Sequence, residues 1–268
     1  MSLAAGRSAF AFACLALAAG VALAPGAARA RPDAAELMNR AIRQPMLAER
    51  ITKLYTQVGQ NILGARTARQ LPAAVHDFEA GLKELLANAS NTEIRENYQL
   101  LDQLWGEYKA IASKAPTLEN ARKLAEQNEE VVWISTKGAQ LIQEQSRTVR
   151  GDLIRTAGDI RVLSQRIAKL YLFRSWGVRS DVLANDLKDA DAAYRVAMAR
   201  LAAAPQNTPE IRTELQLADN QYLFLGQAVT RLNAGRNAAQ ELEFVAKTCD
   251  NILEVMERVA RLYESLKA

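Results

Sequence analysis

The chain offers few side chains that could perform catalysis or hold a metal ion. It contains one histidine, His76, so a metal or haem site built from histidines is excluded, and His76 is expected on a helix surface. Glu126, Glu129 and Glu130 form a carboxylate cluster, but di-metal helical bundles need Glu-x-x-His pairs and the chain has none. No serine or cysteine lies in a nucleophile motif, and no glycine-rich phosphate loop occurs. We therefore predict a protein that is not an enzyme and carries no cofactor or metal.

One segment of the chain occurs twice. Residues 41–55 read AIRQPMLAERITKLY and residues 157–171 read AGDIRVLSQRIAKLY, and 7 of the 15 aligned positions are identical. The offset of 116 residues indicates two domain-sized copies of one module and not a short solenoid repeat. Residues that both copies share are predicted to be structural, namely Arg50 with Arg166 and Tyr55 with Tyr171.

The sequence predicts helices almost throughout. Ala, Leu, Glu, Gln, Arg and Lys dominate, β-branched runs are absent, and prolines lie in short polar stretches between helical segments. Four helices are expected in each copy, and their lengths and short loops suit an antiparallel four-helix bundle. The predicted ranges are 35–63, 70–88, 92–114 and 118–148 in the first copy, and 150–177, 181–203, 209–232 and 236–266 in the second.

We predict an all-α fold of two tandem four-helix bundles, with domains at residues 31–149 and 150–268. Because no proline lies between Thr117 and Gly177, the last helix of the first copy is expected to continue into the first helix of the second. That shared helix would have about 60 residues and a length of about 90 Å. The alternative is a break near Gly151, which would let the two copies fold back side by side.

Aromatic residues also recur at equivalent positions of the two copies. Phe78 corresponds to Tyr194, and Trp105 corresponds to Tyr222, which favours a place in the core for all four. Trp133 has helical spacing as well and is expected in the core or at the end of a bundle.

Residues 157–167, AGDIRVLSQRI, resemble a sequence signature of a sensory family. The shared pattern is Ala-Gly, a gap of two residues, Arg, and then Ser-x-Arg followed by an apolar residue. It resembles the first-helix signature of the N-terminal domain of type IV pili methyl-accepting chemotaxis transducers and of the periplasmic sensing domain of nitrate/nitrite sensor kinases. The resemblance covers both copies, is specific in residues 157–171, and elsewhere rests on the rhythm of the helices.

The resemblance implies a four-helix domain that dimerises and holds a small oxyanion between first helices. It implies Arg161 as the oxyanion ligand, together with Gly158, Ser164 and Gln165 on the same helix. An arginine suits a planar oxyanion because its guanidinium donates two parallel hydrogen bonds. Gly158 lies one turn before Arg161, where a missing side chain lets another helix or an anion approach closely.

The first copy differs at these positions. Ile42 matches Gly158 and Pro45 matches Arg161, so the first copy is not expected to form an anion site. Pro45 lacks an amide hydrogen and is expected to kink the helix unless the helix starts there. Arg166 lies about 140° around the helix from Arg161, so we expect it to pair with acids on a neighbouring helix. The alternative for the second copy is a solvated arginine at position 161 and close helix packing at Gly158.

The first thirty residues predict a cleavable signal peptide. Arg7 precedes an apolar run at residues 9–24, and Ala28-Arg29-Ala30 has the small-x-small form after which signal peptidase cleaves. We expect cleavage after Ala30 and a periplasmic protein, and an N-terminal membrane anchor is the alternative. No other stretch is long and apolar enough to span a bilayer.

Charge and cysteine content exclude further classes of protein. The chain has 34 basic and 30 acidic residues, and loss of Arg7 and Arg29 with the leader leaves 32 against 30, so we predict no nucleic-acid partner. Cys14 leaves with the leader, so Cys249 stands alone and no internal disulfide can form. Cys249 matches Asn128 of the first copy and is expected to be a small, semi-buried residue.

Two functions of different classes remain open at this point. The first is a non-enzymatic periplasmic sensory or binding module for a nitrate-like or nitrite-like oxyanion. It would act as a homodimer or with an envelope protein that reads a change in helix packing. The second is a ligand-free helical adaptor or assembly factor for an envelope complex, such as a pilus or a respiratory enzyme. The sequence also leaves open whether an anion site would form within a homodimer or between the two copies.

Overall fold

A computed structural model describes residues 34–145, 147–178, 183–233 and 238–266. These ranges form α-helices without any strand, so the predicted all-α class is confirmed. The predicted leader, residues 1–30, lies outside the described residues. The helices are α1 (Ala34–Gly59), α2 (Gly64–Ala87), α3 (Thr92–Ala112), α4 (Leu118–Gln145), α5 (Val149–Trp176), α6 (Leu183–Ala202), α7 (Pro209–Asn233) and α8 (Ala238–Ser265).

The helix ends differ most from the prediction at the first loop. α2 begins at Gly64, earlier than the predicted residue 70, and Pro72 lies inside it. The chain turns between the two helices because Asn61 and Leu63 adopt left-handed backbone angles, with φ of 55° and 56°. Pro72 is exposed, so water can reach the backbone carbonyl that a proline leaves without a helical partner.

The predicted shared helix between the two copies is wrong. α4 ends at Gln145 and α5 begins at Val149, so the two are separate helices. Thr148 has an extended backbone, with φ of −123° and ψ of 151°, and its hydroxyl accepts a hydrogen bond from the amide of Gly151. This is an N-cap, in which a side chain satisfies a free amide at a helix start, and it stabilises a new helix at the expense of a continuous one.

The chain reverses direction between α4 and α5. Gln143 is hydrogen-bonded to Asp152, and further from the loop Lys169 donates to Asn128 across 2.6 Å. Residues at equal distances before and after the loop are therefore neighbours, which places α4 and α5 antiparallel. The alternative prediction, a break close to Gly151 with the copies side by side, describes this arrangement.

The two repeated helices, α1 and α5, lie against each other in parallel. Ile42 faces Gly158, and Gly59 faces the indole of Trp176. These contacts join residues separated by 116 and 117 positions, the same spacing as the sequence repeat. Equivalent residues of the two copies are therefore neighbours in space.

The other helices repeat one packing pattern around this pair. α1 packs on α2 and α4, and α3 packs on α4, while α5 packs on α6 and α8, and α7 packs on α8. The equivalent aromatic pairs stack in both halves, with ring centroids 4.1 Å apart for Phe78 and Trp105 and 3.9 Å apart for Tyr194 and Tyr222. The expectation for Trp133 is wrong, because its side chain is 66% exposed on α4.

One main core runs through both halves. The described residues form one compact unit, and its largest buried cluster includes Ile51 of α1 together with Ile160 of α5. The predicted domain boundary at residues 149–150 lies at the start of α5. The α1–α5 pair is thus both the centre of the molecule and the contact between the two copies.

Candidate functional site

α1 and α5 approach each other closely at Gly158. A Cβ atom placed on Gly158 would lie 2.0 Å from Cγ2 of Ile42, well inside the distance that two carbon atoms tolerate. The space beside this glycine is therefore filled by the isoleucine of the other copy. Gly158 brings the two helices together and does not itself leave room for an anion.

Arg161, one turn further along α5, is buried and forms no ion pair with an acid of the described residues. Its side chain is 1% exposed, and its Nη2 donates a hydrogen bond to Oδ1 of Asn39 in α1 across 2.6 Å. Its Nε has no hydrogen-bond partner among the described protein atoms. No carboxylate of a described residue lies within 4.0 Å of the guanidinium, so the buried charge is not neutralised by an ion pair. The alternative prediction of a solvated arginine at this position is wrong.

Burial decides the electrostatics of Arg161. Loss of hydration lowers the pKa of its guanidinium to about 10, and the charges of Arg43 and Arg261 lower it further, while Glu257 and Glu264 act in the opposite direction. These two glutamates and two arginines balance in formal charge. The guanidinium is still protonated at neutral pH, so a positive charge without an ion pair to a described acid lies between α1, α5 and α8.

The side chains of Ser164 and Gln165 do not form one binding site with Arg161. The hydroxyl of Ser164 donates to the backbone oxygen of Arg161 across 2.8 Å, within its own helix. Gln165 is fully buried and donates from Nε2 to the backbone oxygen of Cys249 in α8 across 3.2 Å. Of the four residues that the resemblance implied, Arg161 alone keeps an unpartnered donor of hydrogen bonds, because Gly158 has none to offer.

A charged groove lies beside Arg161, and we call it the polar groove. It has a volume of about 420 Å³ and is lined by residues of α1, α2 and α8. Asn39, which accepts the hydrogen bond from Arg161, is one of these residues. The charged side chains that line it are Glu36, Arg40, Arg43, Asp77, Glu84, Arg261 and Glu264.

A second groove lies on the other side of the α1–α5 pair, and we call it the apolar groove. It has a volume of about 430 Å³ and is lined by residues of α1, α4, α5 and α6. The two grooves correspond in part, because α6 is the equivalent of α2 and α4 is the equivalent of α8, but both first helices line the apolar groove and only α1 lines the polar groove. Pro45 lines the apolar groove at the position that Arg161 occupies in the other half. The other apolar lining residues include Ile42, Ala139, Val162, Val196 and Ala197.

Arg166 and Lys169 of α5 belong to a buried ion-pair cluster. Arg166 Nη1 lies 2.9 Å from Oε1 of Glu49 in α1 and 2.9 Å from Oε2 of Glu129 in α4. Lys169 Nζ lies 2.7 Å from Oε2 of Glu49, and both side chains are fully buried. The cluster joins the first helices of both copies to the last helix of the first copy.

Arg50 and Lys53 of α1 form the equivalent cluster in the other half. Both pair with Asp250 of α8, and Arg50 Nη1 lies 3.0 Å from Oδ1 of Asp250. Burial lowers the pKa of the Lys53 ammonium. Burial alone would raise the pKa of Asp250, but Lys53 and Arg50 outweigh it and hold that pKa below its ordinary value.

The two clusters exchange partners between the copies. α1 of the first copy pairs with α8 of the second copy, and α5 of the second copy pairs with α4 of the first. Reciprocal contacts of this kind are typical of a two-fold interface, which here lies within one chain. The contact between the two first helices is therefore formed within this chain.

Sequence reasoning predicted acids on a neighbouring helix as partners of Arg166, but it did not identify Glu49, Glu129 or Asp250 as the acids of the clusters, and it missed Asn39. A signal for two of them was present, since Asn128 and Cys249 align and the next residues, Glu129 and Asp250, are both acidic. Glu49 gave no such signal, because its equivalent is Gln165.

The remaining predicted residues have structural surroundings. The Tyr55 hydroxyl donates to the backbone oxygen of Ala115 across 2.9 Å, whereas Tyr171 is half-buried. Cys249 is fully buried and not semi-buried, and burial raises the pKa of its thiol to about 12, which opposes formation of a reactive thiolate. His76 is exposed on α2.

Within the described ranges, no group of three or more histidine, cysteine, aspartate or glutamate residues is placed so that it could hold a metal ion. No helix in the part of the chain that the structure describes has the length and apolar character needed to cross a membrane. Comparison with family models, curated proteins and solved structures found no match for this chain, so the sensory-family resemblance of residues 157–171 stays a prediction.

Proposed function

We propose that this chain is a non-enzymatic sensory or binding protein that holds a small oxyanion at Arg161 and signals to a partner protein. Export to the periplasm is part of the proposal and rests on the leader pattern of residues 1–30. The observation that carries the oxyanion site is the state of Arg161, a guanidinium 1% exposed with one neutral partner and one unpartnered nitrogen.

A buried charge without an ion pair is expensive for a protein to keep. Removing an ion from water costs several kcal/mol unless an opposite charge and hydrogen bonds compensate for the lost hydration. An anion beside Arg161 would supply both, because its oxygens could accept from Nε and its charge would neutralise the guanidinium. Buried arginines that serve only packing are expected to have an acidic partner, as Arg166 has in Glu49.

The polar groove supplies a route for such an anion. Asn39 lines the groove and also accepts from Arg161, so it lies between the groove and the buried guanidinium. Movement of the Asn39 side chain would open the Arg161 guanidinium to the groove. The groove carries charges of both signs, and Arg43 and Arg261 are among its basic residues.

The position of Arg161 suggests how binding would be transmitted. The guanidinium lies where α5 meets α1 and α8, and these helices carry the contacts between the two copies. A ligand that favours one packing of these helices shifts their populations toward that packing. A partner that binds one packing better than the other would then respond to the anion.

The direct test is calorimetric titration of the purified protein with nitrate and with nitrite, in wild type and in Arg161→Met. We expect binding in wild type, and affinity at least about tenfold lower in the variant, because the charge and the donors are lost. Arg174→Met is the matched control, since Arg174 is an exposed arginine near the end of the same helix. Absence of heat in wild type, or equal affinity in the two variants, would refute the proposal.

Stability without anion gives a second readout from the same variants. Arg161→Met is expected to raise the free energy of unfolding by about 1–3 kcal/mol, because it replaces an uncompensated buried charge with an apolar side chain of similar length. Urea denaturation in an anion-free buffer measures this difference. If Arg161→Met instead lowered the free energy of unfolding by a similar amount, Arg161 would be a structural residue.

The second candidate function is the ligand-free adaptor, and exposed apolar side chains favour it. Trp133 is 66% exposed, and Leu223 and Phe224 on α7 are 59% and 48% exposed. Tryptophan and phenylalanine are enriched where proteins bind one another. A partner recovered stoichiometrically from periplasm, and lost with Trp133→Ala but retained with Arg161→Met, would support the adaptor over the sensor.

A further inference from the structure

The apolar groove has the size and lining of a small-molecule site. Its volume of about 430 Å³ falls in the range of sites that hold small ligands. Ile42 and Pro45 of α1, Val162 of α5 and Val196 of α6 all line it, and Val196 has 71% of its surface exposed. The groove therefore offers apolar surface that the fold itself does not cover.

One charge at this groove is only loosely paired. Arg155 is bound to Asp159 across 2.7 Å, so the charges of that pair are satisfied. Arg200 also lines the groove and is 52% exposed, and the carboxylate that it approaches, Asp152, is 3.9 Å away, beyond hydrogen-bond distance. Arg200 thus presents donors at the edge of an apolar surface.

We propose that the apolar groove binds a small amphipathic carboxylate, with its hydrocarbon part between α1 and α6 and its carboxylate on Arg200. The apolar walls favour a hydrocarbon body, and the guanidinium donates hydrogen bonds to a carboxylate in the geometry that suits it. A ligand with a positive head group is disfavoured because the nearby acid, Asp159, already binds Arg155.

The equivalent positions of the polar groove show why this ligand would select one groove. Arg200 corresponds to Glu84, and Val196 corresponds to Ala80, at the repeat offset of 116 residues. A carboxylate at Glu84 would meet a like charge, and Ala80 offers less apolar surface. The proposal is independent of the oxyanion site, because it involves neither Arg161 nor the polar groove.

The experiment uses octanoate as the probe, with octanol and octylammonium as the neutral and cationic analogues of equal chain length. Binding to the purified protein is measured by ligand-observed NMR and calorimetry. We expect octanoate to bind at least about tenfold more tightly than either analogue, because Arg200 adds a charge-assisted contact to the shared hydrocarbon contact. Equal affinity for octanol and octanoate, or no binding of octanoate, would overturn the proposal.

Two variants locate the site, and a third is their matched control. Val196→Trp fills the groove and Arg200→Glu introduces the charge found at Glu84, and each is expected to weaken octanoate binding at least about tenfold. Arg200→Glu should leave octanol binding unchanged. Ala80→Trp makes the equivalent change in the polar groove and should have no effect on octanoate. Both tryptophan substitutions are at exposed positions of their helices, so folding is expected to survive, and circular dichroism verifies it. If Val196→Trp and Ala80→Trp weakened octanoate binding equally, or if Arg200→Glu left octanoate binding unchanged, the assignment of octanoate to the apolar groove would be contradicted.

Discussion

The polar and apolar grooves occupy equivalent places in the two halves of the molecule, yet their chemistry is opposite. Arg161 lies buried beside the polar groove, whereas its equivalent, Pro45, is a wall of the apolar groove. At the outer edge the signs are exchanged as well, since Glu84 of the polar groove corresponds to Arg200 of the apolar groove. Equivalent helices therefore form a groove in each half, but the residues that line the two grooves differ in charge and polarity.

Comparison of the two grooves separates the residues that position the helices from the residues that determine the chemistry of each groove. The stacked pairs Phe78–Trp105 and Tyr194–Tyr222 repeat in both halves, and so do the basic residues of α1 and α5 that pair with a last helix. These shared residues hold the helices at equivalent places. Substitutions at a few lining positions then make one groove charged and the other apolar, without any change in helix order.

The largest expected change in the free energy of unfolding tests whether the two ion-pair clusters contribute unequally to stability. Glu49→Ala is expected to lower the free energy of unfolding by about 3–5 kcal/mol, because it leaves Arg166 and the fully buried Lys169 without their buried acid. The equivalent change, Gln165→Ala, removes one neutral hydrogen bond to Cys249 and is expected to cost about 1–3 kcal/mol.

Urea denaturation followed by circular dichroism measures both variants. If the two losses were equal, Glu49 would contribute no more than a neutral side chain does, and the asymmetry of the clusters would have no energetic meaning.

A smaller effect is expected where the two first helices meet. Gly158→Ala places a Cβ atom 2.0 Å from Cγ2 of Ile42 and should cost about 1–3 kcal/mol, because the helices must separate to admit it. The double variant with Ile42→Ala should lose at least about 0.5 kcal/mol less than the sum of the two single losses, since the new methyl group then has space. Thermal and urea unfolding of the four proteins in this cycle give the comparison.

Gly106→Ala is the control for this prediction. No atom lies within 4 Å of a Cβ placed on Gly106 in α3, so alanine should stabilise the helix by about 0.5–1 kcal/mol. A Gly158→Ala variant as stable as wild type would show that the helices do not meet closely at this position.

The smallest expected effect is on the pH dependence of stability, and it compares one acid from each cluster, Asp250 and Glu129. Basic neighbours hold the folded-state pKa of Asp250 and of Glu129 below the ordinary values, even though burial opposes this. A depressed pKa stabilises the folded state above the unfolded-state value, near 4, and this stability is lost as the pH falls through the folded-state pKa. Asp250 is buried but the Glu129 side chain is 51% exposed, so Asp250 should contribute more.

We expect Asp250→Asn to flatten the dependence of stability on pH below about 5 more than Glu129→Gln does. Urea midpoints measured from neutral pH down to about pH 2 test this ordering. A larger change in Glu129→Gln than in Asp250→Asn would contradict this ordering.

Much of the fold could be predicted from the sequence because helix formation depends on local patterns. The repeat of residues 41–55 and 157–171 identified the two equivalent helices, and the alignment of Phe78 with Tyr194 and Trp105 with Tyr222 identified two core pairs. The break between α4 and α5 was harder to predict, because a single threonine cap at Thr148 interrupts a stretch without proline. Local composition does not show whether a threonine at such a position caps a new helix or lies within a continuous one.

The candidate site could be predicted only in part. The motif pointed to Arg161, but its partner Asn39 is 122 positions away, and the acids Glu49 and Asp250 reach their bases from other helices. The sequence by itself determined the all-α class, the duplication and the residues that differ between the copies, because periodicity and identity are readable along the chain. Only the tertiary structure decided that α1 lies parallel to α5, that Ile42 fills the space at Gly158, and that Arg161 is buried without an acid. These features depend on contacts between residues more than a hundred positions apart, and burial changes the energy of a charge in a way that no local pattern records.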